Sequence, residues 1–412
     1  MLYNLFLVLY RAGIAVTALW NPKARAWQRG RKQQWERLHQ AIPPLRPGQQ
    51  RYWMHCASLG EFEQGRPVLE ALRARDKDGV IVLSFFSPSG YEVRKNYEGA
   101  DVICYLPMDG AAAARKFLAI VSPTVAFFVK YEFWHYYLKE LAQRQVPTVL
   151  VSGAFRRDQA FFKWWGGFFR EMLFRFQVLT VQDAGSLQLL RGIGLGEKAF
   201  FTGDTRYDRV IQIADTAHDL PLIETFRGLD KLIVAGSTWP EDERMLKAAW
   251  SSPPEGWKLV LAPHEIDRPH LDAIKALFGS ECIFYSEFRP DTAARILVID
   301  NIGMLSSLYR YGEIACIGGG FNRGGIHNVL EPAVFGLPVL MGPEYQKFTE
   351  AVTMVKKGFA FPVTDPATYS QVLQDLTADH EGRQALQTLI RTYVREHAGA
   401  TAKILALLPT AD

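Results

Sequence analysis

Residues 313–343, EIACIGGGFNRGGIHNVLEPAVFGLPVLMGP, gather five glycines with Asn322, Arg323, His327 and Asn328 inside residues 318–328. Glycines such as Gly319, Gly324 and Gly325 let backbone N–H groups approach an anion, and the positive end of a following helix favours one. The spacing predicts a helix from about His327, with Pro332 early in it, where a missing N–H is tolerated. Arg323 and His327 add donors, and Glu331 on the first turn is placed to accept from ribose hydroxyls. A tight loop with a helix cap needs fewer polar residues, so the stretch reads as a phosphate or nucleotide site.

Residues 51–66, RYWMHCASLGEFEQGR, read as strand, then Ser58-Leu59-Gly60-Glu61, then helix. A carboxylate at a helix start stays ionised, which suits a general base; an N-terminal helix charge is by itself the commoner explanation. Glu63 competes for the role, and Gly60 implies close approach of something to the backbone. In VKYEFWHYYL (129–138), Glu132 and Trp134 follow another strand at the same edge; a helix-start acid and a core aromatic explain them as well. In SFFSPSGYE (84–92), Ser87 and Ser89 offer hydroxyls to a helix cap or to a sugar or phosphate. VLAPHEIDRPH (260–270) brings His264, Glu265 and Arg268 after a strand as candidates for nucleotide contacts. Its HEIDR is no HExxH metal helix, because Arg268 stands where the second histidine belongs. Asp76-Lys77-Asp78 joins a helix to a strand start and reads as a turn. Gly192–Gly196 follows a helix and is no dinucleotide fingerprint, and no Walker A sequence occurs.

The elements that carry these loops alternate. RYWMHC (51–56), 80–86, 101–106, 124–129, 147–152 and 177–182 are apolar runs of strand length; 62–75, 88–98, 110–120 and 132–144 have helical patterns. After a polar linker, ADTAHDLPL, a second series begins with strands at 231–236, 257–262, 282–286, 295–300, 313–319 and 337–342, and the chain ends in helices at 366–378 and 382–407. Continuous apolar strands alternating with helices mean parallel sheets covered on both faces, and ligands in such sheets bind outside the carboxyl ends of the strands. At 412 residues the chain exceeds one core, so two doubly wound domains with a cleft between them are expected. With 47 Lys+Arg against 43 Asp+Glu the excess is +4, no evidence for a nucleic-acid partner. The four cysteines are far apart without a CxxC pair, which excludes a zinc ribbon and a disulfide scaffold.

Residues 1–20, MLYNLFLVLYRAGIAVTALW, are a marginal membrane span or an interfacial helix, because Arg11 near the middle costs about 2.5–3.5 kcal/mol on insertion. Lys23, Arg25, Arg29, Arg31, Lys32 and Arg37 follow, with Trp20, Trp27 and Trp35 among them. Positive charge after the apolar run places the rest of the chain on the cytoplasmic side. Residues 160–176, AFFKWWGGFFREMLFRF, put aromatics on every side of a helix, as a lipid contact or a fully buried helix would.

Taken together, these motifs resemble the 3-deoxy-D-manno-octulosonic acid (Kdo) transferases. The resemblance rests on the N-terminal apolar and basic segments, WMHCASLGE, SPSGYE, YLPMD, YEFW, TGDTRYD and, most specifically, GGGFNRGGIHNVLEPAVFGLPVLMGP. It implies an α/β protein of GT-B type: two Rossmann-like domains with an interdomain cleft and an N-terminal membrane-anchor helix. The implied division is an anchor and basic segment (1–38), an acceptor-binding domain (39–212) and a CMP-sugar-binding domain (213–412). The implied activity is inverting, metal-independent transfer of Kdo from CMP-Kdo to a sugar hydroxyl of lipid A precursor. The implied place is the cytoplasmic face of the cell inner membrane; no cofactor, metal or nucleic acid is expected. By matching motifs, Glu61 corresponds to the family's catalytic glutamate and Glu132 to the acid of its E-x-W. Gly324, Gly325, His327, Asn328 and Glu331 fall in its nucleotide motif, joined on the donor side by Gly319, Arg323, His264 and Arg268. Ser58, Gly60, Ser87, Ser89 and Trp134 are the expected acceptor or sugar contacts. The chain departs from the family at His264-Glu265, where an arginine of A-P-R-H is missing, at Met304, where a glutamate is lost, and at Lys130, where many members carry an acid. Another GT-B transferase using a UDP-sugar on a lipid, or a nucleotide-sugar epimerase, are the alternatives.

Overall fold

The computed structural model describes residues 2–251 and 253–408. Two compact units emerge: one holds the chain up to Arg209 together with everything from His397 onward, the other runs from Val210 to Glu396.

The first unit is built on seven strands: β1 (Arg51–Cys56), β2 (Val80–Phe85), β3 (Val102–Tyr105), β4 (Val125–Val129), β5 (Thr148–Gly153), β6 (Val178–Val181) and β7 (Ala199–Phe201). Their order is β3-β2-β1-β4-β5-β6-β7, and every pairing is parallel. Successive side chains alternate between faces, and both faces are apolar. Trp53, Phe128 and Tyr137 pack in one layer, Met54, Phe62 and Phe127 in the other. Helix Leu59–Arg75 lies close on the sheet through Gly65, where a Cβ would stand 2.8 Å from Val129 and 2.9 Å from the Met54 sulfur.

The second unit repeats the plan with β8 (Lys231–Thr238), β9 (Trp257–Pro263), β10 (Cys282–Phe284), β11 (Ile296–Val298), β12 (Ile314–Ile317), β13 (Val339–Met341) and β14 (Ala360–Pro362), ordered β10-β11-β9-β8-β12-β13-β14, again all parallel. The linker expected at ADTAHDLPL starts inside helix Thr205–Asp215, and residues 217–220 are tied to the second unit. The His218 amide donates to Ser307 Oγ, the Leu220 amide to Tyr311 at 2.7 Å, and Arg310 pairs with Asp219 at 2.8 Å.

The structure corrects four expectations. The C-terminal helix 382–407 is two helices, His380–Glu396 and Ala400–Ala406, broken at Gly399, whose φ of +91° no helix holds. The second piece returns to the first unit, so 213–412 is not one domain: Ile404 is buried in that unit's core, and Asp208 accepts from the Gly399 and Thr401 amides. Residues 160–176 are a 3₁₀ turn (Ala160–Phe162) and a helix (Gly167–Phe174) rather than one helix; Phe161, Met172, Leu173 and Phe176 are core, while Trp164, Trp165 and Phe168 are exposed. The segment is therefore not one fully buried helix: part of it is core and part is exposed.

The fourth correction concerns the N-terminus. Helix Leu2–Thr17 is about 24 Å long at 1.5 Å per residue, short of a hydrocarbon core of about 30 Å. No single described helix is long and apolar enough to cross a membrane; Pro22–Gly30 continues at 119° to the first. Leu2, Leu5, Phe6, Val8 and Leu9 are exposed, while Tyr3 donates to Asp109 Oδ2 at 2.6 Å and packs against Phe168 at 5.4 Å. Arg31, read with the basic run, is instead a buried pin: its guanidinium lies 3.8 Å from the Trp27 ring centre and donates to the Phe86 and Leu106 carbonyls. Burial lowers its pKa to about 9.

Ile404→Ala removes a fully buried side chain from the returning helix. It should cost about 2–4 kcal/mol in urea unfolding of the full chain, the range for such truncations in packed cores.

Candidate active site

In a doubly wound sheet the crossovers leave in opposite directions on either side of the first strand, opening a crevice at the carboxyl ends there. In the first unit that point lies between β1 and β4. β1 runs into Ser58, the N-cap of helix Leu59–Arg75, with Glu61 at the third helical position. Glu61 Oε2 accepts from the Ser58 amide at 2.7 Å and from the Ser58 hydroxyl. Both donors act on one oxygen, leaving Oε1 of this half-buried carboxylate to another partner. Glu61 is thus a capping residue, as the plainer reading had it, and still presents an oxygen. Gly60 is not demanded by packing, since a Cβ would meet only Ser58 Oγ at 3.9 Å; the space above the loop is open. Glu63 drops out as a competing base, because it is held by Arg94 at 2.7 Å and Arg209 at 3.1 Å.

β4 is followed by Lys130, a non-glycine residue at φ +64°, and delivers Glu132 to the same crevice. Glu132 is buried: Oε2 accepts from Trp134 Nε1 at 2.6 Å and from His55 Nε2 at 3.2 Å. His55 is fully buried, its Nδ1 facing Ser84 Oγ at 2.9 Å, and that hydroxyl accepts from Trp53 Nε1 at 2.8 Å. Every donor is used if Ser84 donates to Nδ1 and Nε2–H donates to the carboxylate. Glu132 therefore ends a buried chain of hydrogen bonds, and Trp134 serves it as a donor. Burial pushes the Cys56 thiol well up, and the charges of Glu61, Glu132 and Glu63 push it further. Ser87 is occupied as an N-cap, accepting from the Ser89 amide at 3.2 Å with the two hydroxyls 2.8 Å apart.

In the second unit the corresponding point lies between β8 and β12. Ser237, at φ +54°, turns the chain out of β8 into Trp239. Asp242 ties the two loops together: its Oδ2 accepts from the Trp239 amide at 2.9 Å and the Gly319 amide at 2.8 Å. The Trp239 ring stacks on His264 with centres 4.7 Å apart, and His264 lies 4.5 Å from His327. Trp239 Nε1 donates to His327 Nε2 at 3.1 Å, which leaves the His327 proton on Nδ1. Burial, then His264, lowers the His327 pKa to about 4, so the ring is a neutral donor at pH 7. The loop bearing His264 is braced by His270, whose Nδ1 lies 2.8 Å from the Glu265 carbonyl and whose Nε2 lies 3.0 Å from Glu243.

Three donor-side expectations change. No helix starts at His327; a single turn, Leu330–Ala333, follows it, too short for a useful dipole, with the Leu330 amide capped by Asn328 Oδ1 at 3.1 Å. Asn328 Nδ2 donates to Glu331 at 3.1 Å and orients that acid. Most loop glycines answer to packing. A Cβ on Gly318 would lie 2.1 Å from the Ser237 carbonyl, on Gly319 2.5 Å from Gly325, and on Gly320 2.5 Å from Gly342. Gly325 is likewise filled, and Gly319 N–H already serves Asp242; only Gly324 of the five is open. Arg268 is exposed and paired with Asp272 at 3.0 Å, and Arg323 is exposed on the loop. His55, Ser84, Trp239 and Asp242 were not singled out from the sequence. The signal for Trp239 and Asp242 was present: a strand, then Pro240 and an acid at the third helical position, the same pattern as at Glu61. Among the described residues, no three His, Cys, Asp or Glu side chains are grouped to hold a metal ion.

Residues 29–209, which hold all seven strands of the first unit's sheet, match the family model described as 3-deoxy-D-manno-octulosonic-acid transferase. Among curated proteins, the Kdo transferase of Aquifex aeolicus is 27% identical over 331 residues, 79% of this chain and 85% of that protein. That of Bordetella pertussis is 26% identical over 384 residues, 86% of each. Among solved structures, a putative UDP-N-acetylglucosamine 2-epimerase from Listeria monocytogenes superposes with a TM-score of 0.60 at 14% identity, over 87% of this chain and 95% of its own, which establishes the shared GT-B fold alone.

Asp242 yields a pH prediction. Burial raises its pKa from 3.8 to about 6, and its Oδ1 has no partner among the described residues. The folded value lies above the unfolded one, so this group's contribution to stability is full below pH 3.8 and is lost as pH rises through 6. Asp242→Asn keeps an acceptor for both amides and removes the buried charge. The variant's unfolding free energy relative to wild type should be more favourable at pH 7.5 than at pH 4.5, by up to about 2 kcal/mol, measured by denaturant titration at both values.

Proposed function

We propose that the chain, similar over most of its length to proteins named Kdo transferases, is a glycosyltransferase. We propose that it moves Kdo from CMP-Kdo to a sugar hydroxyl of a lipid A precursor, with inversion and without a metal, at the cytoplasmic face of the inner membrane. Glu61 carries this reading. It sits at the crevice of the unit that matches the transferase model, and one of its oxygens is held by two donors while open space lies over Gly60.

In the proposed step, Glu61 Oε1 takes the proton of the acceptor hydroxyl as its oxygen bonds to the anomeric carbon of Kdo. The bond from that carbon to the phosphate oxygen breaks, and CMP leaves. One carboxylate suffices for a single inverting displacement. The Ser58 donors hold the Glu61 carboxylate in place through Oε2. Glu132, fixed by His55 and Trp134, adds a second negative charge beside the crevice; its role is to orient the acceptor and favour developing positive charge at the sugar. On the donor side, the Nδ1–H of neutral His327 and the exposed Arg323 supply the phosphate with donors, and Glu331, oriented by Asn328, accepts from ribose. A leaving group with one phosphate needs no divalent ion for charge balance, so EDTA should leave the rate unchanged.

The bare face of helix Leu2–Thr17 and the exposed Trp164, Trp165 and Phe168 support a lipid acceptor presented from a membrane. Tyr3 packs on Phe168, so the two apolar surfaces are continuous.

Glu61→Gln keeps shape and loses the base. With CMP-Kdo and lipid A precursor, product read by mass should fall about 10²–10⁴-fold, while CMP affinity by calorimetry stays within twofold. Near-normal turnover would remove Glu61 from the role.

A further inference from the structure

Helix Pro22–Gly30 and helix Pro88–Arg94 enclose an open groove of about 720 Å³ on the first unit, remote in sequence from the glycine-rich loop at 318–325. Arg25, Arg29, Arg37 and Lys95 line it, against Glu92 as its single acid. Arg25 and Arg29 are four residues apart and so share one face of the helix. Neither has an acceptor among the described residues, and like charges at that spacing repel unless an anion lies between them. Lys95 pairs with Glu92 at 2.9 Å, and Arg37 donates to the Gly30 and Lys32 carbonyls.

The groove is rigid for a physical reason. Asn21 caps the helix through the Lys23 and Ala24 amides, and Arg31 pins its far end into the rings of Trp27, Phe86 and Tyr105. Gly30 sits so close to the floor that a Cβ would lie 2.1 Å from Tyr105. The helix backbone that carries the two arginines is thus held in place before any ligand arrives. The helix preceding them, Leu2–Thr17, exposes leucines and Phe6 to whatever apolar layer it meets.

We propose that this groove is a discrete site for the phosphate headgroup of an anionic membrane lipid, gripped by Arg25 and Arg29 with Lys95 at its wall. Guanidinium groups bind phosphate oxygens two at a time, which a diffuse field of charge does not do. The inference rests on the membrane association proposed above and adds a stereochemical site to it.

The test is sedimentation of the full-length protein with vesicles of phosphatidylcholine alone or with 30% phosphatidylglycerol. Two variants remove the same charge from the same segment: Arg25→Gln/Arg29→Gln empties the groove, and Lys23→Gln/Lys32→Gln leaves it intact. The groove variant should lose at least ten times more affinity for the anionic vesicles than the lysine variant, with circular dichroism of both unchanged. Equal losses would mean diffuse attraction and overturn the site while leaving membrane association standing. Wild-type protein that ignores both vesicles would overturn the membrane reading itself. Calorimetry with inorganic phosphate alone adds a third arm: sub-millimolar binding that depends on Arg25 and Arg29 would make the ligand a soluble anion and overturn the lipid assignment. Should the arginine pair prove needed for folding, Arg25→Lys/Arg29→Lys keeps the charge and loses the two-toothed grip, and binding to anionic vesicles within twofold of wild type would count against the site.

Discussion

A parallel strand cannot be joined to its neighbour by a hairpin; the chain must cross back over the sheet, and both units are organised by that constraint. All carboxyl ends in a sheet then share one edge, and the edge opens where crossovers diverge, between β1 and β4 and between β8 and β12. Glu61 and Glu132 stand at the first opening, Trp239, Asp242 and the Gly318–Gly320 loop at the second. At each, a non-glycine residue leaves its strand in the left-handed region, Lys130 in one case and Ser237 in the other. Such residues cost of order 1–3 kcal/mol and persist only where their surroundings over-determine them.

Those surroundings are buried polar networks. The chain Trp53–Ser84–His55–Glu132–Trp134 leaves no donor idle, and it fixes an acid at the mouth of a crevice without exposing it. In the second unit, Thr238 and His270 both meet Glu243, so the end of β8 and the loop after β9 move as one piece. Satisfied networks of this sort hold geometry better than packing alone, because each loss leaves a buried group unpaired. Asp242 is the exception, with one oxygen engaged twice and the other not at all among the described residues.

The sheets were legible because their strands are continuous apolar runs, which only burial on both faces explains. β7 and β14 were not, since three residues at a sheet edge leave no run to read. Helix Pro366–Ala378 was legible to its ends through Asp365, which caps the Ala367 and Thr368 amides, and Pro366 behind it. The glycine-rich loop was found for a reason that is only partly the true one: Gly318, Gly319 and Gly320 are there because backbone from β8 and from Gly342 fills the place of a side chain. Glu61 was visible as an acid after a strand. His55 was not, because its use depends on β2 and β4 lying on either side of β1, and no local pattern states which strands are neighbours.

The return of the chain at His397 also fixes an order of events during synthesis. Residues 210–396, one whole unit, emerge from the ribosome as a closed set and have all of their own sequence in hand. The first unit, although begun earlier, waits for Ile404 to fill its core and for the Gly399 and Thr401 amides to reach Asp208. The half of the molecule that is translated first is thus the half completed last, and a nascent chain stalled before residue 397 carries an unfinished core whatever the state of the other unit.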